Sequence, residues 1–139
     1  MASRKIRAIN IDDDEFLRSI LSVALEFDGG FNLSHFSGFD EALPALKKKA
    51  FDLVILDVLM PDRNGLEIFR DLRTMSAYAD TPVVFLTRIA DEEFARSARD
   101  EGVAAVIVKP FDPMKIADTL RQAMGQAARR PDRKMKIAS

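Results

Sequence analysis

The sequence predicts an α/β domain in which five strands alternate with five helices and wind into a doubly wound parallel sheet. Three observations predict it. Short apolar runs alternate along the chain with stretches of helical periodicity, and right-handed crossovers turn such a series into a parallel sheet with helices on both faces. The run Leu53-Val54-Ile55-Leu56 is apolar without a break, as a strand covered on both faces must be. Four such runs end on residues able to do chemistry: Ile6 to Ile11 on Asp12-Asp13-Asp14, Leu53 to Leu56 on Asp57, Val83 to Leu86 on Thr87, and Val103 to Val108 on Lys109. The carboxyl edge of a parallel sheet is where open α/β folds place their sites.

Each element follows from local pattern. Ile6 to Ile11 reads as the first strand, and from Asp14 onward Phe16, Leu17, Ile20, Leu21, Ala24 and Leu25 recur at helical spacing. Asp28-Gly29-Gly30 breaks that helix, and Phe31 to Phe36 is a short second strand carrying the chain's only histidine, His35, read as structural. Ser37 is placed to cap a second helix with Phe39, Ala42, Leu43 and Leu46, whose C-terminal dipole is complemented by Lys47-Lys48-Lys49. Pro44 inside it predicts a kink or a late start. After the third strand, Met60 to Gly65 has loop chemistry, and a helix follows with Leu66, Ile68, Phe69 and Leu72. Pro82 precedes the fourth strand. Residues 90–101 read as a charged fourth helix with a thin stripe of Phe94, Ala95 and Ala98, either solvated or paired with a copy of itself. Gly102 ends it before the fifth strand. Asp112-Pro113 opens the fifth helix, which carries Ile116, Leu120 and Met124 and is expected to fray after Gly125. The phenylalanines read as core filling.

A chain of 139 residues fits one domain, and its hydrophobic fraction of 47% is ample for a core. There is no cysteine, which excludes disulfides and thiol chemistry. With no signal-type leader and no apolar stretch long enough to span a membrane, the expected location is cytoplasmic. Residues 1–126 carry 16 Lys and Arg against 21 Asp and Glu, whereas residues 127–139 carry five against one. An acidic body argues against a nucleic-acid-binding core, and no DNA-binding domain is expected; the basic tail alone suits an anionic partner. The expected division is a domain over residues 5–126 and a flexible tail over 127–139.

Carboxylates, a hydroxyl and an amine gathered on one sheet edge suit a site that holds a divalent cation and accepts a phosphoryl group. Asp57 is the candidate nucleophile, since a carboxylate can form a covalent acyl phosphate. A divalent cation offsets the repulsion between that carboxylate and an incoming phosphoryl group. Asp13 and Asp57 are the candidate direct ligands. Lys109 supplies a point charge and Thr87 a hydroxyl donor for phosphoryl oxygens.

The words Ile11-Asp12-Asp13-Asp14, Leu56-Asp57-Val58-Leu59-Met60-Pro61 with Gly65, Phe85-Leu86-Thr87 and Val108-Lys109-Pro110-Phe111 stand in order on this pattern. In this the chain resembles the receiver domain of two-component response regulators over residues 5–126. The resemblance implies a flavodoxin-like fold with strand order 2-1-3-4-5. It implies a phosphoacceptor, Asp57, served by a histidine kinase or histidine phosphotransfer protein, with Mg²⁺ required. Asp12 ligates that ion through a water and Leu59 through its backbone carbonyl. The domain is no enzyme in the ordinary sense, although it catalyses its own phosphorylation and dephosphorylation. The signal is expected to pass to a downstream protein through helix four, strand five and helix five.

Some positions depart from the family. Val106 stands where many receivers carry an aromatic ring that turns inward on activation, so an aromatic flip is not expected. Arg88 follows Thr87, where a small residue is usual; it narrows access, helps hold phosphate, or points to solvent. In the family it resembles, the side chains at the positions of Leu59 and Ile89 flank the path of hydrolytic water; both are apolar here, which predicts slow autodephosphorylation. The main expectation is a stand-alone regulator acting by protein contact. The alternatives are a relay or phosphate-sink receiver, the receiver fragment of a larger regulator, a phosphorylation-independent module, or an Asp-nucleophile phosphohydrolase. The last lacks a general acid, because Leu59 cannot serve as one.

Overall fold

The computed structural model describes residues 4–61, 63–88 and 91–129, with side chains through residue 125. Five strands form one sheet: β1 Ile6–Ile11, β2 Phe31–Phe36, β3 Leu53–Leu56, β4 Val83–Thr87 and β5 Ala105–Val108. Between and after them lie α1 Glu15–Asp28, α2 Phe39–Lys48, α3 Gly65–Thr74, α4 Glu92–Glu101 and α5 Ile116–Arg129. All pairings are parallel, in the order β2-β1-β3-β4-β5. This is the flavodoxin-like α/β fold the sequence predicts.

Alternation along the strands sorts the core into two layers. Ile9, Ile11, Val54, Leu56, Val83 and Phe85 face Phe39, Ala42 and Leu46 of α2, Ile68, Phe69 and Leu72 of α3, and Ala98 of α4. Ala8, Leu53, Ile55, Val84 and Leu86 face Leu21 and Leu25 of α1 and Ile116 and Leu120 of α5. Ile11 pairs with Leu56, Leu56 with Phe85, and Thr87 with Val108. That register brings Asp12, Asp57, Thr87 and Lys109 out along one edge.

Several local expectations are corrected. Ser37 does not cap α2: the helix begins at Phe39 with Gly38 as N-cap and no side-chain cap bond, so the Ser37 hydroxyl stands one residue too early. Nor does Pro44 delay the start. The helix runs through it, because Phe39, Ala42 and Leu46 are all buried in the core, and that burial outweighs one lost backbone bond. α4 begins at Glu92 with Asp91 as its cap, and β5 begins at Ala105, two residues later than expected. Asp112 caps a turn, accepting from the Met114 amide at 2.9 Å, and α5 proper starts at Ile116.

α5 also continues through Gly125 to Arg129. One helical glycine costs only about 1 kcal/mol against alanine, and the alanines and arginine that follow favour helix. The residues of the basic tail from Arg130 onward lie outside the described ones, as do Ile89 and Ala90. Phe16 and Phe27 are not core: they are 72% and 83% exposed, on an outward stripe of α1 with Val23. His35 is exposed on β2. The charges of α4 are solvated in part, but Glu101 is held by a two-pronged bond from Arg70 of α3, at 2.7 and 3.0 Å.

A short 3₁₀ turn, Ser76–Tyr78, was not anticipated. It carries Tyr78 into the core, where the phenol oxygen lies 2.6 Å from the Leu46 carbonyl and 2.7 Å from that of Lys49. Those are carbonyls at the end of α2, which helix geometry leaves without an intrahelical partner.

Candidate phosphoacceptor site

Asp12 and Asp57 leave adjacent strands side by side, and the Asp57 amide donates to the Ile11 carbonyl at 3.0 Å. Carboxylate oxygens of Asp12, Asp13 and Asp57 all lie within 4.8 Å of one another. Asp12 and Asp57 are buried and Asp13 is exposed, so the cluster is a pocket with one solvent-facing wall. Thr87 is fully buried at the end of β4, and its carbonyl accepts the Lys109 amide at 2.7 Å. Lys109 follows β5, is joined to Pro110 by a cis peptide, and points inward. Its Nζ lies 2.8 Å from Asp12 Oδ2 and 3.6 Å from Asp57 Oδ2. These are ion pairs without hydrogen-bond alignment. The structure therefore brings together Asp12, Asp13, Asp57, Thr87 and Lys109 on one edge.

Electrostatics set the character of the pocket. The Asp57 carboxyl is pushed up from its ordinary 3.8 to about 6, first by burial and next by the negative charge of Asp12, against the opposing pull of Lys109. The Leu59 amide, which donates to Asp57 Oδ1 at 3.2 Å, works on the side of ionisation. Three carboxylates meet one ammonium. That surplus of negative charge, carried by hard oxygen donors, is what a divalent cation balances, so the residues present fit a metal ion.

The backbone under Asp57 is held from the far side. α3 opens with Asn64 as N-cap in a capping box with Glu67, and the Gly65 amide donates to the Val58 carbonyl at 2.9 Å. A Cβ on Gly65 would come within 2.7 Å of Val58 Cα and 2.9 Å of the Asp57 carbonyl oxygen. Only glycine permits this approach. Leu59 pairs across the same turn with Asn64 and leaves its side chain exposed at the mouth.

Asp14 serves two partners and is not part of the carboxylate cluster. Its Oδ1 caps α1 by accepting from the Leu17 amide at 3.2 Å, and its Oδ2 accepts from Arg88 Nη2 at 3.0 Å. Arg88 therefore does not simply point to solvent. Sequence reasoning missed Arg18, whose guanidinium donates to the Asp12 carbonyl at 2.6 Å. The signal was available, for Arg18 lies one helical turn after Asp14. Val106 is half-buried and packs on the larger core layer.

Residues 8–121 match the family described as "Response regulator receiver domain". Among solved structures, the chemotaxis response regulator CheY4 of Vibrio cholerae is similar, at 30% identity and a TM-score of 0.78, over 86% of this chain and 98% of that one. A beryllofluoride-activated DrrB receiver domain is similar at 25% identity and a TM-score of 0.74, over 87% and 98%. Among curated proteins, the sensory/regulatory protein RpfC of Xanthomonas campestris is 34% identical over 119 residues, which is 84% of this chain and 16% of RpfC. The chain thus spans a small part of the length of that relative. Among the described residues no helix is long and apolar enough to cross a membrane.

Proposed function

The chain belongs to the response regulator receiver family, a class of signalling modules, and from that premise we propose that Asp57 accepts a phosphoryl group from a phosphohistidine of a histidine kinase or phosphotransfer protein. One observation carries the reading: the buried Asp57 carboxylate, its pKa raised to about 6, shares a pocket at the carboxyl edge of the sheet with the Asp12 carboxylate and the buried Lys109 ammonium, which lies 3.6 Å from Asp57 and 2.8 Å from Asp12. An oxygen of Asp57 attacks phosphorus, the phosphorus–nitrogen bond breaks, and the imidazole leaves, yielding an acyl phosphate. Two unit charges at ~4 Å repel by about 4 kcal/mol at an effective dielectric near 20. Lys109 lowers that barrier from within the pocket, and Thr87 offers a hydroxyl to the phosphoryl oxygens.

Asp13 and Asp57 are the direct ligands of Mg²⁺ in this reading, with Asp12 acting through a water and Leu59 through its carbonyl. Bound there, the ion supplies charge neutralisation and in-line positioning. Movement of Thr87 toward the phosphoryl group carries the loop after β4 with it. The α4, β5 and α5 face then presents a different surface to a downstream protein. Val106 offers no ring to that switch, so loop and helix displacement carry the signal.

The test is incubation with acetyl phosphate, or beryllofluoride, plus Mg²⁺, for the parent and Asp57→Ala. Stable incorporation that disappears in Asp57→Ala supports the phosphoacceptor. Continuous release of phosphate supports a phosphohydrolase, and no response supports a phosphorylation-independent module.

A further inference from the structure

Arg88 and Asp14 are 74 residues apart in sequence and meet at 3.0 Å. Arg88 follows the last residue of β4, and Asp14 lies in the loop that leaves β1. The sheet order puts β3 between those two strands, so the ion pair spans two strand spacings, roughly 10 Å. What leaves the sheet in that gap is Asp57, whose side chain is 7% exposed. The Arg88 side chain is 69% exposed and that of Asp14 21%, so the pair that joins the two loops lies at the surface.

We propose that the Arg88–Asp14 ion pair is a strap over the phosphoacceptor, making Arg88 the residue that sets how fast, and from which donors, phosphoryl groups reach Asp57. The inference rests on Asp57 being the acceptor. Exposed pairs are weak and open readily, so the strap slows entry without blocking it. Hindrance grows with donor size. A phosphorylated imidazole, which must bring its ring to the mouth, is slowed more than acetyl phosphate. A cognate partner gains by displacing Arg88 from Asp14 with a carboxylate of its own, which makes the strap a filter against mismatched donors.

The experiment measures phosphorylation of the full chain at Asp57 by monophosphoimidazole and by acetyl phosphate, each with Mg²⁺. It compares the parent, Arg88→Ala, Asp14→Asn and the double variant. Asparagine caps a helix as well as aspartate, so α1 is preserved in Asp14→Asn. Each single variant is expected to react with monophosphoimidazole about two- to fivefold faster than the parent at low salt, the range an exposed pair supports. The gain with acetyl phosphate is smaller, and the double variant is no faster than either single one. The advantage vanishes as salt is raised and the screening length falls from about 30 Å at 0.01 M to about 3 Å at 1 M. Incorporation at equal rates in all four proteins, a slower Arg88→Ala, or single effects that multiply in the double variant would overturn the strap while leaving the acceptor intact. Incorporation in none of the four overturns the acceptor reading and the strap with it.

Discussion

Lys109 stands nearer to Asp12 than to Asp57, with Nζ 2.8 Å from Asp12 Oδ2 and 3.6 Å from Asp57 Oδ2. Both Lys109 and Asp12 are almost fully buried. Removing the cation strands a carboxylate in a dry place. Lys109→Met is therefore expected to destabilise the fold by about 3–5 kcal/mol. Adding Asp12→Asn should recover a large part of the loss. Chemical denaturation of both variants checks this; a Lys109→Met protein as stable as the parent refutes it.

The raised Asp57 pKa fixes the sign of a pH effect. Folded Asp57 keeps its proton from 3.8 up to about 6, whereas the unfolded chain releases it near the ordinary value. Between those limits the folded state binds more protons, so stability falls as pH rises and is level above about 6. Allowing for solvent screening at the mouth, the loss amounts to about 1–2 kcal/mol. Asp57→Asn should lack that step and be the more stable protein at pH 7. Melting curves of the pair from pH 4 to 7 decide the matter.

A divalent cation reverses the same penalty. At a hundredfold excess over its dissociation constant, Mg²⁺ is expected to stabilise the parent by about 2.7 kcal/mol. Asp13→Asn removes a proposed, exposed ligand without emptying a buried position, so its melting temperature should respond far less to the ion. An equal response in both would remove Asp13 from the ligand set.

Gly65→Ala tests the support beneath Asp57. The new methyl would meet backbone at Val58 and Asp57, which cannot swing aside as a flexible side chain can. A cost of about 1–3 kcal/mol is expected, together with slower phosphorylation, because the displaced atoms belong to the proposed acceptor itself. Tyr78→Phe is the contrast. It leaves carbonyls at the end of α2 unpartnered for about 1–3 kcal/mol and should not change the phosphorylation rate.

Leu59 offers no polar group to guide water at the mouth. Once formed, the acyl phosphate of the isolated protein is expected to last minutes or longer at saturating Mg²⁺. Loss of the label within seconds would show that another residue directs hydrolysis.

β3, β4 and β5 were legible because each is a nearly uninterrupted apolar run, β1 and β2 because apolar residues recur through short segments, and the site was legible because its residues follow or end β1, β3, β4 and β5. Asp12, Asp57, Thr87 and Lys109 needed only the right sheet order to meet. What resisted was everything decided between distant segments. The i, i+4 pattern of α1 gives two apolar stripes, and only packing shows that Leu21 and Leu25 face inward while Phe16 and Phe27 face out. The bond from Arg88 to Asp14 joins two loops whose approach no local rule describes. Tyr78 finds partners at Leu46 and Lys49, about thirty residues back along the chain. Gly125 misled for a different reason: an energetic preference of about 1 kcal/mol is too small to end a helix that other residues favour.

β3 is paired on both sides and all four of its residues are buried, whereas β5 is an edge strand that is half-buried to exposed, and α4 has Ala98 as its buried residue. Local opening should therefore be cheap at one margin and as costly as complete unfolding at the centre. Amide hydrogens of Val54 to Leu56 are expected to exchange with solvent last, and those of α4 early. The proposed nucleophile is rooted in the stiffest part of the molecule, and the surface proposed to carry its message is drawn from the loosest. A rearrangement of α4 can then occur many times within the lifetime of one acyl phosphate without disturbing the carboxylate that holds it.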